Sequence, residues 1–418
     1  MTTLVRRLGT GDAVVIGLGA MVGAGVFAAF APAAAAAGGW LLVGLALAAI
    51  VAFCNATSSA QLAMQYPASG GTYVYGRERL GPWWGFLAGW GFVVGKTASC
   101  AAMAITFATY VVPEPRWLQR VVAAAVVLLL TLVNLRGITR TARVARLLLA
   151  GSFAALLVVV VAIAASGQAD VGRLALGVAP HGVYGVLQSA GLLFFAFAGY
   201  ARIATLGEEV RDPERTIPRA VTWALALAVL TYFVVGAAVL AALGADALGA
   251  AEAPLNDAVS AVGAAWASPV VRAGAAIASL GALLGLLAGI GRTGLAMARE
   301  RDLPHQLAAV HPVHHVPHRA QLLVAVVVVA LVLTTDLRGV IGFSSFGVLV
   351  YYAVANASAW TQDKAHRRWP RAINVVGLLG CATLTVTLPL SAVLTGTLVL
   401  AVGLAGRAVR LARTPNAP

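Results

Sequence analysis

The sequence predicts an all-α integral membrane protein of twelve transmembrane helices, and three observations carry that prediction. Of 418 residues, 60% are hydrophobic and only 11% are charged, less than half the roughly 25% charge of an ordinary soluble domain. Mean hydropathy is +0.89. The apolar residues fall in long runs near the ~20 residues that a helix needs to cross the hydrocarbon core, with room for about a dozen such runs. The charges lie between the runs. One soluble core has no room for this much apolar surface, and the richness in apolar residues excludes disorder. Three cysteines, each inside an apolar run, exclude a disulfide scaffold. The net charge of +14 is a topology signal rather than a nucleic-acid footprint, because the cations punctuate the spans.

The spans are expected at 12–38, 40–66, 83–113, 116–135, 142–165, 182–208, 217–244, 268–299, 319–335, 337–361, 370–388 and 390–411. Arg6 and Arg7 precede an apolar stretch too long for a signal peptide. Twelve is even, so both termini share a side. With them in the cytoplasm, about 21 cations fall on inner loops and about five on outer ones, as the positive-inside rule requires. The outer five are Arg116, Arg120, Arg173, Arg272 and Arg338, while Lys96, Arg202 and Arg292 remain at membrane depth. Residues 1–11 and 412–418 are the cytoplasmic ends, with Arg407, Arg410 and Arg413 as a lipid-headgroup anchor. The inner loop near 300–318 carries His311, His314, His315 and His318. Its interleaved prolines favour a solvated loop over a metal site.

Two spans carry interruptions. The first holds Gly17, Gly19, Gly23 and Gly25 mid-run. Glycines there serve either close helix packing or a local unwinding whose bare amides must find partners. A carboxylate at the following half-helix N-terminus would satisfy those amides. The sixth span carries Ala196-Phe197-Ala198-Gly199 between aromatics. Paired interruptions at matched positions in two five-helix halves point to a transporter binding site.

Four stretches then resemble a known family in its expected order. They are GAMVGAGVF (19–27), YPASGGTYVYGRERLGP (66–82), FFAFAGYARIATLGEEVRDPERTIPRA (194–220) and GRTGLAMARERDLP (291–304). They resemble the amino acid permeases of the amino acid–polyamine–organocation superfamily. The resemblance implies two inverted five-helix repeats, here 12–165 and 182–361, followed by two C-terminal helices at 370–411. It further implies transport of amino acids or related amines by alternating access, often with protons. The substrate carboxylate would lie on the amides around Gly23, Ala24 and Gly25, with Val22 beside them. The ammonium would face carbonyls near Ala20 and Met21 and near Phe195, Ala196 and Ala198, beside Gly199. Phe195 or Phe197 would close over the substrate; ordinary packing accounts equally for either.

Two positions depart from the family pattern. Many proton-coupled relatives carry a lysine in the fifth span, where this chain has Ser152; its lysine is instead Lys96, in the third span. A lysine at that depth is costly unless paired or deprotonated, and buried lysines lose protons readily. Lys96 is therefore the candidate proton carrier, with snorkelling or structural pairing as alternatives. Arg202 replaces a small apolar residue and has Glu208 or Glu209 as candidate partners.

Sodium is disfavoured, because residues 280–292 contain no Ser or Thr and Ser279 and Thr293 are too far apart to act together. Protons or plain exchange remain, and no cofactor is expected. A cationic substrate would want a carboxylate at depth. None lies near the interruptions, so a neutral amino acid is favoured, with an acidic one left open by Lys96 and Arg202. Cys54, Cys100 and Cys381 read as reduced fillers, and Asn55 as an interhelical hydrogen-bonder. Asp212-Pro213 and Ile217-Pro218 read as the start of the seventh span. The competing readings are an amino acid or polyamine exchanger without proton coupling and a non-transporting receptor. No catalytic pair appears, so an enzyme is not expected. Oligomeric state is not set by the sequence.

Overall fold

The computed structural model describes residues 8–67, 70–137, 142–204 and 210–413. Arg6, Arg7, Arg140, Glu208 and Glu209 lie outside the described residues. The described residues are helical, joined by one isolated β-bridge between Leu8 and Val210.

The first expected span forms three pieces, α1 (Thr10–Met21), α2 (Ala24–Ala28) and α3 (Phe30–Ala37). The second is α4 (Leu41–Gln65). A short helix, α5 (Thr72–Leu80), precedes α6 (Pro82–Val111), α7 (Arg116–Leu135) and α8 (Ala142–Ala165). The second half runs α9 (Gly182–Phe197), α10 (Ala201–Ala204), α11 (Pro213–Leu243), the short α12 (Ala245–Ala250) and α13 (Pro254–Ala261), then α14 (Ser268–Arg299), α15 (His318–Thr334) and α16 (Leu337–Trp360). Helices α17 (Arg371–Thr387) and α18 (Leu390–Arg413) complete the chain. Among the described residues ten helical stretches are long and apolar enough to cross a membrane, counting Phe30–Gln65 as one, and α15 and α17 are shorter apolar helices.

Local chemistry explains the less regular starts. Helix α11 begins at Pro213, four residues before the expected start, because a proline fits the first helical turn, where its missing amide costs nothing. Asp212 precedes it with a positive φ of 45° and makes no side-chain cap, contrary to the capping role expected of it. Pro218 therefore lies inside the helix, not at its start. It cannot donate to the Glu214 carbonyl one turn back, which instead accepts from Arg368 at 3.4 Å. Likewise Pro32 gives no amide to Ala28, and the helix breaks between α2 and α3 at Ala29.

The most buried elements are α6 and α16, which pack on each other and, for α6, on α14. Glycines permit this: a methyl on Gly347 would meet the Gly95 backbone at 2.9 Å. Ser99 and Ser344 share a hydrogen bond of 2.6 Å across the same contact. The outermost helix α18 is the least buried of the candidate spans.

Candidate functional site

The two interruptions meet in the middle of the bundle. Helix α1 ends at Met21; Val22 and Gly23 leave helical geometry, Gly23 with φ −87° and ψ −146°. In the sixth span the chain stays wound but tightens to a 3₁₀ turn over Ala198–Tyr200, between α9 and α10. Small residues allow the two to touch. A methyl on Gly25 would lie 2.7 Å from Ala196 Cα, and one on Gly199 would run into the Ala20 carbonyl and the Met21 amide. Gly23 faces Ala282 of α14, where an added methyl would sit 2.7 Å from the alanine side chain. Gly25 and Gly199 are thus fixed by close backbone approach, and Gly23 by the Ala282 side chain. Ala196, Phe197 and Ala198 are buried, as are Met21, Val22 and Ala24, and Phe195 is 6% exposed.

Protein donors hold several of the freed carbonyls. The Tyr232 hydroxyl of α11 donates to Met21 O at 2.7 Å and also lies 3.0 Å from Ala196 O, so one phenol spans both interrupted segments. Its ring packs on Phe197 with centroids 4.9 Å apart. Lys96 Nζ donates to Ala198 O at 3.1 Å, and the Tyr352 hydroxyl of α16 donates to the same oxygen at 3.4 Å. Lys96 is only 5% exposed, and among the described residues no carboxylate forms an ion pair with it. It does not snorkel to either face. Ser152 is buried and donates to Leu148 O at 2.9 Å, as a serine in a helix interior does.

Sequence reasoning missed Tyr232, because a lone phenol in the otherwise aliphatic run ALALAVLTYFVVGAAVL reads as core. Its depth, level with the interruptions, was the usable signal. It also missed Tyr352. Arg202 lies on α10, and its candidate partners Glu208 and Glu209 fall outside the described residues.

Polar contacts gather on the face that holds the start of α1 and the ends of α14 and α18. Arg211 N donates to Leu8 O at 2.9 Å, and Arg146 pairs with Asp12 at the start of α1. Asp302, just after α14, is 3% exposed at its side chain and takes three partners. These are the Tyr73 hydroxyl at 2.7 Å, Arg77 Nη1 at 3.2 Å and Arg407 Nε at 2.8 Å. Arg407 is therefore no headgroup anchor: its guanidinium is buried, 4.4 Å from the Trp83 ring, because Asp302 offers it a carboxylate in an apolar setting. Burial first, and then the Asp302 carboxylate, push the Tyr73 phenol well above its ordinary pKa, so it remains a donor. On the opposite face a cavity of about 340 Å³ is bounded by Ala31, Pro32, Arg116, Arg120, Glu252 and Arg338, among others.

In the histidine loop, His311 stacks on His314 with centroids 4.9 Å apart. Its Nδ1 accepts the amides of Val313 and His314 at 3.2 Å each. Among the described residues no three His, Cys, Asp or Glu side chains are grouped to hold a metal. In α14, Thr293 Oγ1 donates to Gly289 O at 3.3 Å, and Ser279 is buried.

Membrane-spanning helices gathered around paired interrupted segments define a membrane transporter rather than an enzyme. The family model of the amino acid permeases matches residues 8–406, and the chain belongs to that family. A Mycobacterium tuberculosis protein described as an uncharacterized transporter is 60% identical over 407 residues, which is 97% of this chain and 92% of the relative. Cationic amino acid transporter 7 of Arabidopsis thaliana is 29% identical over 380 residues, 84% of this chain and 65% of the relative. A branched-chain amino acid permease of Bacillus subtilis is 25% identical over 347 residues, 76% of this chain and 72% of the relative.

Proposed function

We propose that this permease is a secondary active carrier of neutral amino acids, cycling by alternating access and coupled to protons through Lys96. It sits in the cell membrane with twelve spans, two inverted five-helix repeats and both termini in the cytoplasm. The cation asymmetry between its two faces supports that orientation. One observation carries the reading: Lys96, Tyr352 and Tyr232 all donate to carbonyls that the interruptions of the first and sixth spans set free. Such carbonyls are the groups that hold a substrate ammonium. The amides of Gly23, Ala24 and Gly25, at the start of α2, take the carboxylate.

The coupling follows from competition. A substrate ammonium reaching Ala198 O must displace the Lys96 ammonium. A buried lysine deprived of its acceptor then sheds its proton, because an unpaired charge in a low-dielectric interior is costly. The absence of a carboxylate paired with Lys96 among the described residues supports a neutral rather than a cationic substrate. The names of the relatives span branched-chain and cationic amino acids, so they do not fix the substrate's side chain. A second reading, exchange without protons, draws on the Lys96–Ala198 bond itself, which a purely structural lysine would also make.

The test is uptake in proteoliposomes. Labelled leucine and alanine should show counterflow, which a receptor would not give, and an imposed pH gradient should raise accumulation in the wild type. In Lys96→Ala the gradient effect should vanish while counterflow survives. Unchanged proton dependence in that variant overturns the Lys96 assignment and leaves exchange as the function.

A further inference from the structure

Helix α4 carries a polar stripe that an apolar membrane helix has no packing reason to keep. Asn55, Ser58, Gln61 and Gln65 recur at helical spacing, and the first three are buried. Residues three and four apart share one face of a helix, so the stripe runs along a single line, from mid-depth to the face that carries the termini.

That line is met by polar groups of α16 and α17. Asn356 Nδ2 donates to Asn55 Oδ1 at 2.6 Å, and Ser58 Oγ donates to Asn356 Oδ1 at 2.7 Å. Asn374 Nδ2 donates to Ser58 Oγ at 2.7 Å, and the Cys381 thiol donates to Asn55 Oδ1 at 3.3 Å. Gly377 is required beside them, since a methyl there would come 2.8 Å from the Asn356 amide carbon. Nearer the surface Gln362 Nε2 donates to Gln65 Oε1 at 2.6 Å, and Gln61 Oε1 accepts the Arg368 amide at 3.4 Å. At the inner end Tyr352 stacks at 4.9 Å on Tyr200 and donates to the oxygen that Lys96 also holds.

Three buried polar atoms along this one seam have no protein partner, Asn374 Oδ1, Gln61 Nε2 and Gln362 Oε1, while the Tyr200 hydroxyl is in hydrogen-bonding reach of Tyr352 and Asn55. Buried polar groups are hydrogen-bonded as a rule, and polar, unsatisfied sites are those that suit ordered water. A network built only to fasten α17 to α4 and α16 would close its bonds internally, since half-satisfied networks destabilise. This one keeps a donor and two acceptors open, on Gln61, Gln362 and Asn374.

We propose that the seam between α4, α16 and α17 is the proton path joining Lys96 to the face that carries the termini; it rests on Lys96 being the proton carrier. The Lys96 ammonium gives one proton to the Tyr352 hydroxyl or an adjoining water and is left as the amine. Each hydroxyl or water accepts one proton and passes one on, and the last is released to bulk water beside Gln65 and Gln362. The amides of Asn55, Asn356 and Asn374 do not ionise; they orient the relay. Tyr352 of α16 shares the Ala198 oxygen with Lys96, and Cys100 lies one turn further along α6.

Asn356→Leu and, as a milder change, Ser58→Ala are compared with Lys96→Met and wild type in proteoliposomes, with labelled leucine and alanine as probes. Both seam variants should keep counterflow within about twofold and lose at least tenfold of the accumulation driven by a pH gradient. If both retain full gradient-driven accumulation while Lys96→Met loses it, the seam is not the path and Lys96 remains the carrier. If Lys96→Met keeps its proton dependence, the Lys96 reading fails and the seam proposal falls with it. Loss of counterflow together with accumulation in Ser58→Ala marks a structural network and overturns the proposal. If Asn356→Leu does not fold, Ser58→Ala and Asn356→Ser decide by the same comparison.

Discussion

Tyr232 is the side chain on which the centre of the bundle turns. Its single hydroxyl faces carbonyls from both interrupted segments, Met21 O and Ala196 O. Tyr232→Phe keeps the ring against Phe197 and removes only the hydroxyl, leaving two buried carbonyls without this donor. The expected cost is ~1–3 kcal/mol, the range for buried polar groups left unsatisfied. It should appear as a lower melting temperature in detergent together with slower uptake, and a variant that matches wild type in both would show the bonds to be incidental. At this scale some features were legible in the sequence and others were not. Gly23 and Gly25 draw attention because glycine at mid-span needs a reason, which close packing or unwinding would each supply. Lys96 announces itself by the cost of its charge. Its acceptor, Ala198 O, has no sequence signature, since any residue supplies a carbonyl. Arg407 misled for a related reason: three arginines near a terminus look like a headgroup anchor, and only folding brings Asp302 beside one of them.

Among elements, the difference between the two interruptions is informative. The first opens fully at Val22–Gly23, while the sixth span only tightens over Ala198–Tyr200. Small residues permit either outcome, so spacing alone does not separate them. The link between α5, the end of α14 and α18 through Asp302, in which Tyr73 and Asp302 alone are 229 residues apart, could not be read from the sequence. Asp302→Asn removes the buried carboxylate and leaves Arg407 charged against aromatic rings. Breaking such a pair costs ~3–5 kcal/mol, so a large fall in thermal stability is expected, with partial recovery when Arg407→Met is added. No recovery in the double variant would mean that the pair contributes little.

For the whole molecule, composition and run length gave the helical class at once, because the bilayer leaves few ways to satisfy a backbone. Span boundaries agree to within a few residues except at α11, where Pro213 rather than Ile217 opens the helix. The short helices α5, α12 and α13 were not anticipated, being too brief for periodicity to register. Both termini should be accessible from one side only: cysteines placed near residues 3 and 416 in a cysteine-free chain should label together in inside-out vesicles and not in right-side-out ones. Labelling from opposite sides would refute the even number of crossings.

The burial of Arg407 in the Asp302 cluster has a reach beyond the protein. Helix α18 leaves most of its surface uncovered by the other described helices, yet one of its residues is part of the Asp302 cluster. A helix bordered by acyl chains responds to bilayer thickness by tilting, and a tilt of α18 would pull on that guanidinium. Turnover should therefore differ between short-chain and long-chain phosphatidylcholine, and Arg407→Met should flatten the difference, which makes lateral lipid composition an input to the transport rate.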